Sequence, residues 1–330
     1  MLNSLPSFKN DEISKAFIRG YSIVNKPMYK NVICSISGGS DSDIMLDIIH
    51  QIDEQKKVTY VWFDTGLEYK ATKEHLKYLE DRYGIKIQRE RAIKPIPVCT
   101  REYGQPFLSK FVSGCIYSLQ LNDFKFEDEP EYILLEKYPK CKSSIKWWCN
   151  SYPYDHSIYN ISYNKWLKEF LIENPPTFRI SKQCCNWAKK KVSHKLIKET
   201  DCDLMIIGIR KAEGGVRSAT YKNCYTSGED KTDQYRPLFW FKDCDKEEYE
   251  RAFDIRHSDC YCKWGFYRTG CVGCPYNKQV FEDLQLIRKY EPNMYKAVNN
   301  VFKDSYEYTK QYRQFVREMK DKEKGRRRLF

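Results

Sequence analysis

The first third of the chain alternates short apolar runs with amphipathic stretches. Residues 31–36 (Asn31-Val32-Ile33-Cys34-Ser35-Ile36), 58–63 and 86–91 are too short for helices and read as strands. Between them, Ile44, Met45, Ile48, Ile49 and Ile52 recur at helical spacing and predict a helix over 42–54, with a second over 68–83. Strands alternating with helices predict an α/β fold with a doubly wound parallel sheet and helices on both faces. Residues 1–30 read as a helical lead-in with Ile13, Phe17 and Ile18 on one face.

Over 93–180 the alternation breaks. Eight prolines from Pro95 to Pro176, the acidic run Glu127-Asp128-Glu129 and Trp147-Trp148 mark a helical insertion or lid, with a helix at 156–173. The α/β pattern returns over 181–276 with a helix at 186–199 and a strand at 204–209, and 277–330 reads as a basic helical C-terminal region. Only Lys324 to Phe330 look disordered. The expected organisation is thus lead-in 1–30, a first α/β part 31–92, insertion 93–180, the rest of the α/β domain 181–276, and 277–330.

The junction of the first strand and helix carries Ser37-Gly38-Gly39-Ser40-Asp41-Ser42. Strand, glycine turn and helix start form a geometry that binds phosphate. The glycines let backbone N–H groups approach the anion, the serines add hydroxyls, and the helix N-terminus adds partial positive charge. A plain tight turn is the competing reading. Asp41 is unusual in an anion site and suggests a loop-orienting role or a metal beside the phosphates. No Gly-Lys-Ser/Thr follows and no three-glycine fingerprint is present, so neither a Walker loop nor a dinucleotide motif is indicated.

Two further segments fall at strand ends, where ligands bind in open parallel sheets. Asp64-Thr65-Gly66, followed by Glu68 and Thr72, reads as a nucleotide contact or as a helix cap. Gly208-Ile209-Arg210-Lys211-Ala212-Glu213-Gly214-Gly215-Val216-Arg217 sets Arg210 and Arg217 around Glu213, a pattern suited to phosphate or sulfate oxygens or, more plainly, to a surface ion pair.

Composition narrows the class. The 330 residues are 41% hydrophobic and 15% aromatic, ample for a large core, and no eighteen-residue apolar stretch predicts a membrane span. Met1 to Asn10 lack a signal-peptide plan, so a cytoplasmic protein is expected. Fourteen cysteines in such a chain argue for metal or redox chemistry rather than disulfides, with Cys34, Cys202 and Cys244 read as small core residues. Cys184-Cys185, followed by Lys189, and Cys271-Val272-Gly273-Cys274 offer thiolates to zinc, to an iron–sulfur cluster or to a redox dithiol. The net charge of +12 gathers at Lys189-Lys190-Lys191 and Arg313 to Arg328, which suits either a polyanion or solvated helix faces. The 26 tyrosines and 7 tryptophans suit base stacking or core packing.

The loop Ser37 to Ser42 resembles the pyrophosphate (PP) loop of the N-type ATP pyrophosphatases. With Asp64-Thr65-Gly66, Cys184-Cys185 and Lys189, the Arg210–Glu213–Arg217 loop, Pro237-Leu238 with Trp240, and Gly270-Cys271-x-x-Cys274-Pro275, the chain is similar to the sulfonucleotide (PAPS/APS) reductases over about residues 31–276. The resemblance implies an adenine nucleotide (ATP, or PAPS/APS) on Ser37, Gly38, Gly39, Ser40, Asp41, Ser42, Asp64, Thr65, Gly66, Gly208, Arg210, Glu213 and Arg217. It implies catalytic roles for Asp41, Lys189, Arg210 and Arg217, and Mg2+ beside the pyrophosphate. The iron–sulfur branch implies a [4Fe-4S] cluster on Cys184, Cys185, Cys271 and Cys274. Cys224, Cys260 and Cys262 are alternatives to Cys184.

The chain departs from that family. No cysteine follows Cys274, so the reductases' C-terminal nucleophile has no counterpart. The arginine loop has Glu-Gly-Gly-Val-Arg where the family has Glu-Ser and then Arg, and the insertion is larger than a minimal reductase needs. The leading expectation is therefore an enzyme that adenylates a nucleic-acid acceptor (tRNA or DNA) for sulfur transfer, with a sulfur-donor protein. A PAPS/APS reductase forming sulfite with a reductant protein is the alternative. A non-catalytic, nucleotide-binding and iron–sulfur-cluster-containing component of a nucleic-acid modification or defence complex is a third. A homo-oligomer stays open, and no membrane partner is expected.

Overall fold

The computed structural model describes residues 8–154, 157–214, 220–228 and 232–327. Chain contacts divide it into two units, residues 1–93 with 188–272 and residues 94–187 with 273–330.

The first unit is built on a six-stranded sheet of order β3-β2-β1-β4-β6-β5. Its strands are β1 (Val32–Ile36), β2 (Val58–Asp64), β3 (Ile87–Arg91), β4 (Leu204–Ile207), β5 (Tyr225–Thr226) and β6 (Asp233–Tyr235). The first four and β6 run parallel, and β5 adds an antiparallel edge. The fold is thus α/β with a mostly parallel sheet. Helix α1 (Asp11–Val24) precedes β1, α2 (Ser40–Ile52) joins β1 to β2, and α3 (Lys70–Tyr83) joins β2 to β3.

Both faces of β1, β2 and β4 are covered, which explains why these strands read as largely apolar runs, whereas edge-side β3, Ile-Gln-Arg-Glu-Arg, is polar and partly exposed. Val32, Cys34 and Ile36 of β1 point to one side with Leu204 and Ile206 of β4, into a core shared with α1 and α2. Ile33 and Met205 point to the other, where Leu196 of the helix Lys191–Glu199 covers them. Helix α2 is the main cover. Ile44, Met45, Leu46, Ile48, Ile49 and Ile52 have no solvent exposure, and each is worth roughly 1.5–3 kcal/mol of burial.

The second unit is helical. Its helices include Ile96–Tyr103, Lys110–Gln120, Lys142–Trp148, Leu167–Glu173, Pro292–Val301 and Lys303–Arg327. Its own core contains Phe107, Ile116, Trp147, Trp148, Phe170 and Tyr308.

Some expectations need correction. Ile18 is 52% exposed, because it lies off the Ile13–Phe17–Val24 stripe of α1. The helix expected over 156–173 is confined to Leu167–Glu173 in its regular part, behind Trp166 with its left-handed φ of 59°. Residues 186–199 are helical but open with a π-turn, Asn186–Lys190. Strands β5 and β6 are short and polar enough to leave no periodic signal. Cys34 and Cys202 are buried as expected, whereas Cys244 is exposed. The terminal helix continues to Arg327, past the point where disorder was expected; 328–330 lie outside the described residues.

Candidate nucleotide site

The sheet order creates the site. From β1 the chain moves outward to β2 and β3, then returns to β4 on the other side of β1. The connections after β1 and β4 therefore diverge, leaving a crevice at the carboxyl ends of these neighbouring strands, the usual ligand position in such sheets. Ser37-Gly38-Gly39 leaves β1 there, and Gly208-Ile209-Arg210 leaves β4.

The loop is held by its own residues. Gly38 has φ +69°, and a Cβ there would meet Thr72 Cγ2 of α3 at 2.8 Å, so only glycine fits without a shift. Ser42 is buried, and its Oγ accepts from Ser37 N at 2.9 Å, closing the turn. Gly39 is the N-cap of α2 and Ser40 its first residue. Gly208 packs beside Met45 and the Asp41 carbonyl, which brings the end of β4 against the start of α2.

Asp41 faces two cations. Arg210 Nε donates to its Oδ2 at 2.9 Å, and Lys246 Nζ lies 3.1 Å from its Oδ1. Burial pushes the Asp41 carboxyl up, but Lys246 and Arg210 outweigh it and hold the group below the usual carboxylate range. Arg210 is buried and also reaches exposed Asp243 at 2.8 Å. Lys246 donates to Ser40 Oγ at 2.5 Å.

One turn further along α2, Asp43 is fully buried. His257 Nδ1 lies 2.7 Å from its Oδ2, and His257 Nε2 lies 2.8 Å from Glu250. His75 Nε2 is 3.0 Å from the same Asp43 oxygen but lies off hydrogen-bond geometry. Burial lowers the His257 pKa, but the two carboxylates more than offset it and bring it to about 9. Tyr261 and Thr269 bond each other at 2.7 Å beside Gly39.

At the end of β2, Asp64 does not cap α3, whose N-cap is Tyr69. Its Oδ1 accepts from Gly66 N at 2.9 Å, and its Oδ2 pairs with Arg89 of β3. Thr65 is buried and donates to Glu68. Burial raises the Glu68 pKa against the opposing charge of Lys189, which places Lys189 near this strand end. Glu213 closes a 3-10 turn by accepting from Arg210 N, and Lys211 N donates to Phe239 O at 2.8 Å, tying this loop to Pro237–Trp240. Arg217 lies outside the described residues.

The thiols divide by unit. Cys184, Cys185 and Cys274 all lie in the helical unit, and all three press electrostatically on buried Tyr276. Cys271 lies at the end of the first unit, whose boundary falls between Val272 and Gly273. Cys224, Cys260 and Cys262 lie in the first unit. The donor type suits iron and sulfide, yet among the described residues no three His, Cys, Asp or Glu side chains form a metal-holding group. For the expected magnesium, Asp41 is engaged by both cations, whereas Asp43 pairs through Oδ2 and leaves its buried Oδ1 without a hydrogen-bond partner.

Sequence reading missed Lys246, His257, His75 and Tyr261. The first two come from more than 200 residues downstream, on a polar helix and the loop after it, and no spacing rule connects them to the glycine turn.

Residues 31–105 match the family model of the phosphoadenosine phosphosulfate reductase domain, a span containing the loop and Asp64–Gly66. No curated protein matches the chain. Solved structures similar to it include the PAPS reductase of Candida auris (11% identity over 78% of this chain and 94% of that one, TM-score 0.39). The FMN adenylyltransferase of Candida glabrata is 10% identical over 82% and 67%, with TM-score 0.43. The U34-tRNA thiolase of Methanococcus maripaludis, solved with its [4Fe-4S] cluster, is 12% identical over 93% and 79%, with TM-score 0.37. No helix among the described residues is long and apolar enough to cross a membrane.

Proposed function

For a chain whose residues 31–105 match the phosphoadenosine phosphosulfate reductase domain, we propose an ATP pyrophosphatase that adenylates an acceptor for sulfur transfer. The observation that carries this reading is the glycine loop at the β1/β4 divergence, with Arg210 and Lys246 converging on its first helical turn. An acceptor oxygen attacks the α-phosphorus of ATP, the bond from that phosphorus to the bridging oxygen breaks, and pyrophosphate leaves with the electron pair. Backbone N–H groups of Gly38 to Ser40 and the α2 N-terminus stabilise the leaving charge, and Arg210, Arg217 and Lys189 add fixed positive charge. Asp64, Thr65, Gly66, Gly208 and Glu213 complete the nucleotide contacts. A sulfur nucleophile then displaces AMP. The basic charge favours tRNA or DNA as acceptor, and a protein serves as sulfur donor.

Cys184, Cys185 and Cys274, with Cys271 three residues ahead in the chain, are the proposed ligands of a [4Fe-4S] cluster. When bound, such a cluster supplies a binding site for sulfur. No step above passes through it, and magnesium is given no protein ligand.

The family description favours one second reading, reduction of PAPS or APS to sulfite. Turnover separates the two. Pyrophosphate released from ATP in the presence of tRNA or DNA supports the first. Sulfite released from PAPS or APS with a thiol reductant replaces it with the second. Iron and labile sulfide on anaerobically purified protein test the cluster. About four irons per chain, lost in Cys274→Ala, are expected, and zinc or no metal removes the cluster from the proposal.

A further inference from the structure

Lys246 sits on the glycine loop although nothing near it in sequence belongs to that loop. It is carried by the helix Asp243–Ala252, and its Nζ donates to the hydroxyl of Ser40, the first residue of α2, at 2.5 Å. The same ammonium is ion-paired with Asp41 at 3.1 Å, and Glu250 stands farther off at 3.8 Å.

Position at the loop and donor number make this more than a structural pair. Asp41 carries one negative charge and faces two cations, Arg210 and Lys246. Arg210's second partner, Asp243, has 71% of its side chain exposed and is well screened by water. Glu250 is already bonded at 2.8 Å to His257, whose raised pKa keeps it a cation at neutral pH. At the loop end of α2, Asp41 alone therefore meets both Arg210 and Lys246. An ammonium has three N–H donors. Lys246 uses one on Ser40 and directs another at Asp41, and its further carboxylate neighbour among the described residues, Glu250, stands at 3.8 Å, beyond hydrogen-bond reach.

Resting on the nucleotide reading above, the geometry points to Lys246 as a phosphate-binding residue of this site, contacting the polyphosphate of an adenine nucleotide beside the Ser40 hydroxyl. It supplies from the far end of the domain the cation that the Ser37–Ser42 string itself lacks. Asp41 and Ser40 hold the ammonium at the loop before the ligand arrives, so less side-chain freedom is lost on binding.

The test is isothermal titration of ATP, pyrophosphate and adenosine into wild type and Lys246→Gln, with Lys246→Arg as the charge-retaining variant. Wild type is expected to bind ATP and pyrophosphate. Lys246→Gln should weaken both by about tenfold or more while leaving adenosine unchanged, and Lys246→Arg should recover part of the loss. If wild type binds neither ATP nor pyrophosphate, the nucleotide reading itself falls. If wild type binds but Lys246→Gln keeps the ATP-to-adenosine affinity ratio, only the lysine's role is overturned. Equal losses for ATP and adenosine also overturn it, because they mark a merely structural residue. Should Lys246→Gln not fold, the same ratio read on Ser40→Ala decides: an unchanged ratio counts against the shared Ser40–Lys246 contact.

Discussion

Asp43 has no solvent exposure, and a carboxylate there is tolerable only with a cation against it. His257 is that cation, held between Asp43 and Glu250 with a pKa of about 9. The sign follows from linkage. A histidine raised above its unfolded value of 6.5 stabilises the fold fully below about pH 6.5, and that contribution is lost as pH rises through about 9. Its size is on the order of 3 kcal/mol. Urea melts across pH 6 to 10 should show wild type losing stability over that window, with His257→Gln less stable at pH 6 and much flatter. A parallel decline in both proteins would remove His257 as the cause. Two glycines give a second residue-scale contrast. Gly38→Ala forces a side chain into left-handed backbone and against Thr72, and should cost about 1–3 kcal/mol with at least a tenfold loss of ATP affinity. At Gly208 a Cβ would meet Met45 Sδ at an ordinary 3.6 Å, so Gly208→Ala should stay within about 0.5 kcal/mol. Thermal melts and ATP titrations of both variants check the contrast.

At the scale of elements, β1, the loop and α2 act as one piece. Strand β1 is buried between β2 and β4, and α2 is nailed down by six apolar side chains with no exposure. That rigidity holds the loop amides in place before a ligand arrives. Ile48→Ala, in the middle of α2, should cost about 2–5 kcal/mol by leaving a cavity. Denaturant melts read that loss directly, and a cost under about 1 kcal/mol would show that α2 is not packed as described. Helix α2 was legible because apolar residues at helical spacing meet a glycine turn. Strands β5 and β6 were not, because two and three polar residues carry no period, and their pairing is decided by the sheet they join.

At the scale of the whole molecule, the proposed nucleic-acid acceptor requires a chain of net charge +12 to bind it through phosphate contacts. Affinity for tRNA or duplex DNA should then fall steeply between 50 and 200 mM salt, by about a hundredfold or more if several phosphates are neutralised. Filter binding at four salt concentrations reads the slope, and a flat line would remove nucleic acid as the acceptor. The sequence by itself determined the α/β class, the glycine loop at a strand end, and the arginine that follows β4. These depend on contiguous residues, where hydrophobic period and backbone permissiveness act locally. Only the tertiary structure decided which groups surround that loop. The order of strands brings β4 beside β1, Lys246 reaches Ser40 across 206 residues, and His257 reaches Asp43 across 214. Charge pairing over such separations is set by how the chain returns to its own sheet, and that return leaves no periodic trace in the sequence.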